Sequence, residues 1–496
     1  MSEKFDLRKM EHDAAAAVGK AVREGGHRVA HEIGVAPQRI KKFWHNLGPG
    51  LTTGASDDDP SGIATYSQTG AQYGLSFLWL SLFTFPLMSM VQQMCAKIGI
   101  VTGQGLAANI RRYYPRSLLY VCTILLLAAN IFNIGANLGA MAKAFQLLLP
   151  STPFGLLVIF FGVTSLVLQI FTTYEKYARY LKYLALILLS YVITALFINI
   201  NWGTVFANLV IPQMEFTKDQ ILLVCAILGT TISPYLFFWQ TSQEVEEKIL
   251  HHSAAASVTV SEVDVIQEGT KTVVVSATSN VSVVEVDSAN PANENAFTET
   301  PEEVEGEMSK MKVDVWSGML VSNVVMFFII VTCAFTLNAN GVTNIDDAAD
   351  AALALRPFAG DFAFLLFALG IIGTGMLAIP VLAGSAAYAV SESLGWKFGL
   401  YRKLKEAYAF YGVIALATLV GVGLNFIGLD PIKALIYSAV GNGLVAPVIL
   451  YLILDMSNRE SVMGKYKNGP LSKTIGWVTV VLMSISAIAA IVSMFS

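Results

Sequence analysis

Apolar residues recur in long runs over most of the chain, and short polar segments separate one run from the next. Because the hydrocarbon core of a bilayer is ~30 Å thick, about 20 apolar residues in an α-helix are enough to cross it. The pattern therefore predicts an all-α polytopic membrane protein with eleven transmembrane helices. These helices are predicted at roughly 47–70, 75–98, 118–147, 154–172, 180–200, 219–240, 314–338, 361–394, 406–427, 432–455 and 473–495.

Basic residues are concentrated in every second loop between these runs. Lys and Arg are frequent after the second, fourth, eighth and tenth runs, and they are rare in the intervening loops. Loops rich in Lys and Arg stay in the cytoplasm, so we expect a cytoplasmic N-terminus and, with eleven spans, a C-terminus outside. The first forty residues hold no apolar segment of the kind found in a signal peptide. We therefore predict a multi-pass protein of the inner or plasma membrane of the cell.

The same pattern divides the chain into four parts. They are a cytoplasmic N-terminal tail at 1–46, the first repeat with the sixth helix at 47–249, an acidic cytoplasmic insertion at 250–312, and the rest of the second repeat with the eleventh helix at 313–496. Between residues 253 and 307 there are eleven acidic residues and one basic residue. Such a composition is typical of poorly ordered segments.

The overall composition excludes several classes of protein. Hydrophobic residues make up 54% of the chain and charged residues 14%, whereas soluble domains average about 25% charged residues. The net charge of −4 gives no basic footprint for nucleic acid, and no obligate protein partner is inferred. The four cysteines are far apart in apolar runs, so we expect buried free thiols rather than a metal site or disulfides. The sequence shows no nucleophile–base pair of the kind that would indicate an enzyme.

The first predicted span contains an interruption that a lipid-facing helix does not tolerate. Asp57, Asp58 and Asp59 lie in its middle and are followed by Pro60. Charged groups at membrane depth are costly and mark functional sites, and proline removes a backbone donor. We therefore predict a broken helix whose unwound segment directs carboxylates and free carbonyls into a central site.

The sixth predicted span has a matching interruption. Gly229, Thr230, Thr231, Ser233 and Pro234 lie near its middle. Broken helices in corresponding positions of two halves are the sequence sign of a secondary transporter with a five-plus-five inverted repeat, whose site lies at the bilayer midplane. The oxygen ligands of the two breaks favour a hard divalent cation such as Mg²⁺, Ca²⁺ or Mn²⁺. They do not exclude sodium.

Several segments together resemble the natural-resistance-associated macrophage protein (NRAMP) family of divalent-metal transporters. The family motif Asp-Pro-Gly-Asn of the first helix is matched here by Asp59-Pro60-Ser61-Gly62. Further similarity runs through residues 92–107, 111–115 and 457–478. The resemblance implies the LeuT-type amino-acid/polyamine/cation transporter fold. It covers nearly all predicted helices but neither the tail nor the insertion.

The departures from the family motifs bear on the transported ion. The family carries Met-Pro-His in the sixth helix, where this chain has Ser233-Pro234-Tyr235, and Gly62 replaces the motif asparagine. A harder and roomier site suits a partly hydrated Mg²⁺, which keeps several waters. The pattern resembles the prokaryotic NRAMP-related magnesium transporters, so Mg²⁺ and also Mn²⁺ are the expected substrates, with no resident cofactor.

From this resemblance, the metal ligands are expected to be Asp59, Gly62, Thr230 and Ser233. Asp57 and Asp58 are expected either to line the approach to the site or, for one of them, to be protonated and structural. Tyr235 is expected to pack or to form a hydrogen bond near the site. Intramembrane Asn137 and Asn442 are interpreted as helix-packing residues and are left out of the site.

The resemblance also bears on coupling to protons. Asn133 and Ala136 stand where proton-coupled relatives have acidic residues, and Tyr235 replaces the family histidine. A relay without groups that titrate near neutral pH does not carry protons, so we predict uncoupled transport. The alternatives left open are a proton-coupled Mn²⁺/Fe²⁺ symporter, a sodium-coupled amino-acid transporter of the same fold, and a membrane sensor in which the insertion has the main role.

Overall fold

The computed structural model describes residues 49–172, 186–261, 301–345 and 348–495, and these residues are almost entirely helical. The predicted N-terminal tail and most of the predicted insertion lie outside the described residues. The α-helices are α1 Pro49–Asp57, α2 Pro60–Tyr73, α3 Trp79–Thr102, α4 Leu106–Tyr113, α5 Arg116–Gln146, α6 Phe154–Phe171, α7 Leu189–Phe197, α8 Trp202–Val210, α9 Lys218–Thr231, α10 Pro234–Ser261, α11 Pro301–Thr336, α12 Ala348–Leu353, α13 Arg356–Ala359, α14 Ala363–Leu394, α15 Tyr408–Leu424, α16 Pro431–Asn458, α17 Glu460–Met463 and α18 Pro470–Phe495. Short 3₁₀ turns occur at Leu186–Leu188, Asn338–Asn340, Gly360–Phe362 and Gly464–Tyr466.

The helices confirm the predicted all-α class and agree with most of the predicted spans. Within the described part of the chain, seven helical stretches are long and apolar enough to cross a membrane. They are Arg116–Gln146, Phe154–Phe171, Lys218–Leu250, Pro301–Asn340, Arg356–Leu394, Pro431–Asn458 and Pro470–Phe495. The first predicted span is divided between two short helices, and the fifth falls partly outside the described residues. The count of eleven therefore stays a prediction.

The first predicted break is confirmed at the junction of α1 and α2. Asp59 adopts an extended conformation (φ −68°, ψ 169°) and caps the N-terminus of α2, where its side chain accepts a hydrogen bond from the Gly62 amide. Pro60 occupies the first turn of α2, where the missing amide hydrogen has no intrahelical partner to lose. Aspartate followed by proline is therefore a local signal that stops one helix and starts the next.

The second predicted break is also confirmed. Helix α9 ends at Thr231, Ile232 leaves the helical conformation (φ −113°, ψ 61°), and α10 begins at Pro234. Proline cannot extend α9 because its ring excludes the preceding residue from the helical region. The two breaks free backbone groups in the bundle interior, as the sequence predicted.

The helices with breaks cross their neighbours at glycines. A Cβ atom built on Gly54 of α1 would lie 2.3 Å from the backbone oxygen of Gly318 in α11, and one on Gly229 of α9 would lie 2.1 Å from that of Ala439 in α16. Small residues allow such close approach between membrane helices. The backbones near both breaks are thus held by direct helix–helix contact.

The four cysteines are buried and free, as predicted.

Helices α10 and α11 extend into the two ends of the predicted insertion. Helix α10 continues to Ser261, and α11 begins at Pro301. The segment between them, 262–300, lies outside the described residues. The predicted boundaries at 250 and 312 therefore fall inside helices.

We predict that Gly443→Ala destabilises the protein by about 1–3 kcal/mol, the usual cost of overpacking. The new methyl group would lie 2.6 Å from the backbone oxygen of Cys225, which cannot move without shifting α9. Thermal unfolding in detergent measures the change. Gly441→Ala, in the same helix, is the matched control, because no heavy atom lies within 4 Å of its added Cβ. Equal melting temperatures for the two variants would contradict the close crossing.

Candidate functional site

Asp59 is the centre of a buried polar cluster at the first break. Its side chain is 1% exposed. One carboxylate oxygen, Oδ1, accepts hydrogen bonds from the Ser61 hydroxyl at 2.5 Å and the Gly62 amide at 3.0 Å. The other, Oδ2, accepts from the side-chain amides of Asn133 and Asn137 on α5, both at 3.2 Å. A carboxylate has about four lone-pair positions, so these four donors satisfy Asp59 completely.

The end of α9 forms the opposite wall of this cluster. The hydroxyls of Thr230 and Ser61 lie 3.2 Å apart. Because the Ser61 proton is directed at Asp59, Thr230 is the donor to Ser61. A Cβ on Gly62 would lie 3.4 Å from the Thr230 hydroxyl, so a larger residue at 62 would reduce the space between the breaks. The structure thus brings together Asp59, Gly62 and Thr230, three of the four predicted metal ligands.

Ser233, the fourth predicted ligand, is turned towards its own helix. Its hydroxyl lies 2.8 Å from the Gly229 carbonyl and 2.7 Å from the Thr230 carbonyl. A hydroxyl has one proton but two lone pairs, so the oxygen keeps acceptor capacity for a water of a hydrated ion. Tyr235 packs in the interior, 1% exposed, and donates a hydrogen bond to the Ser56 carbonyl at 3.2 Å.

Asp57 and Asp58 have a different hydrogen-bond partner from Asp59, and it lies on α11. The Ser322 hydroxyl lies 2.7 Å from Asp57 Oδ2 and 3.1 Å from Asp58 Oδ1. Both carboxylates are buried, with 0% and 3% exposure. No group of three or more His, Cys, Asp or Glu within the described ranges has an arrangement that could hold a metal ion. The three aspartates therefore do not form one ligand set in this conformation.

Three residues of this region were not predicted as site residues. Asn137 was interpreted as a packing residue, but its amide donates to Asp59 together with that of Asn133. Their spacing of four residues on one helix places them on the same face, which is a signal in the sequence. Ser61 lies within the motif itself and could have been included. Ser322 carries no sequence signal, because only the packing of α11 against α1 brings it to the aspartates.

Two positions were predicted to lack the acidic residues of a proton relay, and both hold neutral residues. Asn133 supplies an amide donor to Asp59, and its own Oδ1 lies 3.1 Å from the Ser438 hydroxyl of α16. Ala136 is buried and has no ionisable group. None of the six histidines is among the residues whose side chains the structure describes. The recorded hydrogen-bond partners of Asp59 are thus hydroxyls, amides and a backbone N–H.

The start of α1 is tied to two other helices. The Gly50 amide donates to Asp314 Oδ2 of α11 at 2.6 Å, and the Thr53 hydroxyl lies 2.5 Å from Gln240 Oε1 of α10. The Gln240 amide in turn donates to Glu244 at 2.7 Å. With Asp59 and Thr230 both buried, an ion reaches the cluster only after helices move. If the bundle opened at the start of α1, the contacts of Gly50 and Thr53 would have to break.

Comparisons with known proteins show what the chain as a whole is similar to. The family model for natural resistance-associated macrophage protein-like proteins matches residues 50–493. A divalent metal cation transporter, MntH, from Pectobacterium carotovorum subsp. carotovorum is 23% identical over 467 residues, covering 92% of this chain and 96% of that protein. A crystal structure of the Eremococcus coleocola manganese transporter, in complex with an aromatic bis-isothiourea substituted compound, has a TM-score of 0.68 at 17% identity and covers 92% of this chain and 87% of that one. This likeness shows a shared fold.

We predict that Ser322→Ala lowers stability by about 1–3 kcal/mol, because it leaves two buried carboxylates without their shared hydroxyl. The melting temperature in detergent is the measurement. Ser317→Ala in the same helix is the matched control, since that hydroxyl contacts only the Asp314 carbonyl. The interpretation would be wrong if both variants had the same melting temperature.

Proposed function

The chain belongs to the natural resistance-associated macrophage protein-like family, and from this premise we propose that it transports Mg²⁺, and also Mn²⁺, without proton coupling. The predicted family is confirmed, and with it a membrane transporter rather than an enzyme. The proposal places the protein in the cell membrane with its N-terminus in the cytoplasm. The ion would be bound between the two breaks, which the helices expose to each side in turn.

The observation that carries the proposal is the set of groups around Asp59. A single carboxylate lies among hydroxyl and amide groups of Ser61, Thr230, Asn133 and Asn137. These are hard ligands, which suit Mg²⁺ and Mn²⁺. Soft thioether or imidazole ligands would favour later transition metals, and no Met, Cys or His is among the recorded partners of Asp59.

The satisfied state of Asp59 supports binding of a hydrated ion. All four acceptor positions of the carboxylate are engaged, so a bare cation would have to displace Ser61, Gly62 or an asparagine amide. The waters of a hydrated cation can donate hydrogen bonds to oxygens such as Ser233 Oγ without displacing every donor. Mg²⁺ dehydrates reluctantly and normally keeps several waters.

The neutral hydrogen-bond partners of Asp59 support uncoupled transport. Asn133 and Asn137 stay uncharged at physiological pH, so their contacts with Asp59 cannot pass a proton. The membrane potential alone would then drive entry. Each elementary charge contributes ~2.3 kcal/mol per 100 mV, so a divalent ion gains about twice that amount.

We predict that Asp59→Asn abolishes most Mg²⁺ uptake while the protein stays folded. Asparagine also caps helices, so α2 keeps its cap. The charge is lost, and with it the acceptor oxygen of the Asn133 and Asn137 amides. Uptake would be measured in liposomes that contain a Mg²⁺-sensitive dye, with a pH dye in a parallel sample. Asp430→Asn is the matched control, because Asp430 caps α16 through the amides of Ile432 and Lys433 and does not contact Asp59.

The same assay separates the proposal from its alternative. Mg²⁺ entry without acidification, lost in Asp59→Asn and kept in Asp430→Asn, is the expected result. Mn²⁺ entry with acidification and no Mg²⁺ entry would refute the proposal and identify a proton-coupled manganese transporter. A solved neighbour of the same fold is a manganese transporter, so Mn²⁺ entry is measured beside Mg²⁺ entry.

A further inference from the structure

Asn442 in the middle of α16 is a buried side chain whose hydrogen-bonding groups are unused. It is 1% exposed. Neither its Nδ2 nor its Oδ1 has a hydrogen-bond partner within the part of the chain that the structure describes. Leaving a buried donor or acceptor without a partner costs about 1–3 kcal/mol. A leucine of similar size would avoid this cost, so packing alone does not explain an asparagine here.

An asparagine with a packing role in this fold, Asn425, uses its amide in hydrogen bonds. Asn425, at the end of α15, donates to the Gly135 carbonyl of α5 at 2.9 Å and to the Gly421 carbonyl of its own helix at 3.0 Å. Such bonds join two helices and satisfy the amide. Asn442 forms no bond of this kind with any residue that the structure describes, which favours a role other than packing.

The helical register places Asn442 next to the Asp59 cluster. Ser438 lies four residues earlier in α16, on the same face, and its hydroxyl is 3.1 Å from Asn133 Oδ1. The Asn133 amide donates to Asp59. Four residues correspond to ~6 Å along a helix, so Asn442 lies about one turn beyond Ser438, the residue of α16 that contacts Asn133.

The crossing of α16 with α9 places Asn442 at the level of the second break. Its neighbour Gly443 would place a Cβ 3.4 Å from Gly229 Cα, and Gly229 directly precedes Thr230. On α5, which runs antiparallel to α16, Asn130 donates its amide to α14, and its Oδ1 is buried without a partner among the described residues. Unpartnered amide oxygens thus lie about one turn from the contact between Asn133 and Ser438 on both helices.

We propose that Asn442 is a further cation-binding residue of the transport path, which contacts the waters of the hydrated ion one helical turn beyond Ser438. A neutral amide offers an oxygen to the cation and hydrogen bonds to its waters, and it holds the ion more weakly than a carboxylate. A second binding residue divides the departure of the ion from Asp59 into two smaller steps, each of which costs less than one complete separation. This inference rests on the proposed function, because it assumes that a hard divalent cation passes between the breaks.

The test is Mg²⁺ uptake by Asn442→Leu and Asn442→Asp in liposomes, together with their melting temperatures. The leucine variant should raise KM about tenfold, which corresponds to ~1.4 kcal/mol, and should not lower the melting temperature. The aspartate variant has nearly the same shape, keeps the oxygen and adds a charge, so it should lower KM. Asn425→Leu is the matched control, and it should lower the melting temperature without raising KM.

Two results would overturn the inference. An unchanged KM in both Asn442 variants, beside a wild-type protein that transports, would show that the ion does not contact this residue. A melting temperature that falls in Asn442→Leu as it does in Asn425→Leu would show a structural role. A wild-type protein that takes up neither Mg²⁺ nor Mn²⁺ would instead refute the proposed function, and the inference with it.

Discussion

A carboxylate buried in a helical bundle needs a hydrogen-bond donor for each of its oxygens, and for Asp59 the break in the helix makes such donors available. The break frees the Gly62 amide and brings the Ser61 hydroxyl to one oxygen, while α5 supplies two amides to the other. A continuous helix would use that backbone amide internally and would offer no cap. The cost of burying the charge therefore dictates where the first helix breaks and which helix packs beside it.

The second break and the glycine crossings follow from the same need. Thr230 reaches Ser61 only because α9 ends nearby, and α9 is held against α16 by Gly229 and Gly443 at backbone contact. Close contacts between backbones leave little freedom for gradual adjustment. Movement of an ion through the cluster then requires whole helices to shift, and α1, tied through Gly50 to Asp314, is such a helix.

The three consecutive aspartates have different hydrogen-bond partners. Asp59 has its acceptors filled by neutral donors, whereas Asp57 and Asp58 share a single hydroxyl of Ser322. The pair adds no ligand to the site in this conformation. Under the proposed function, the neutral amides of Asn133, Asn137 and Asn442 would set how firmly a divalent cation is held.

The sequence by itself determined the membrane class, the location of most helices and both breaks, because hydrophobic run length and the proline positions act locally. Together with the family resemblance it also predicted Asp59, Gly62 and Thr230 as ligands; the structure brings these residues together, and their role as ligands stays a prediction. Only the tertiary structure decided that Ser322 is the partner of Asp57 and Asp58, that Asn137 joins the cluster, and that Asn442 has no partner among the described residues. These facts depend on the crossing and register of helices far apart in the chain, and helical periodicity carries no information about which face meets which neighbour.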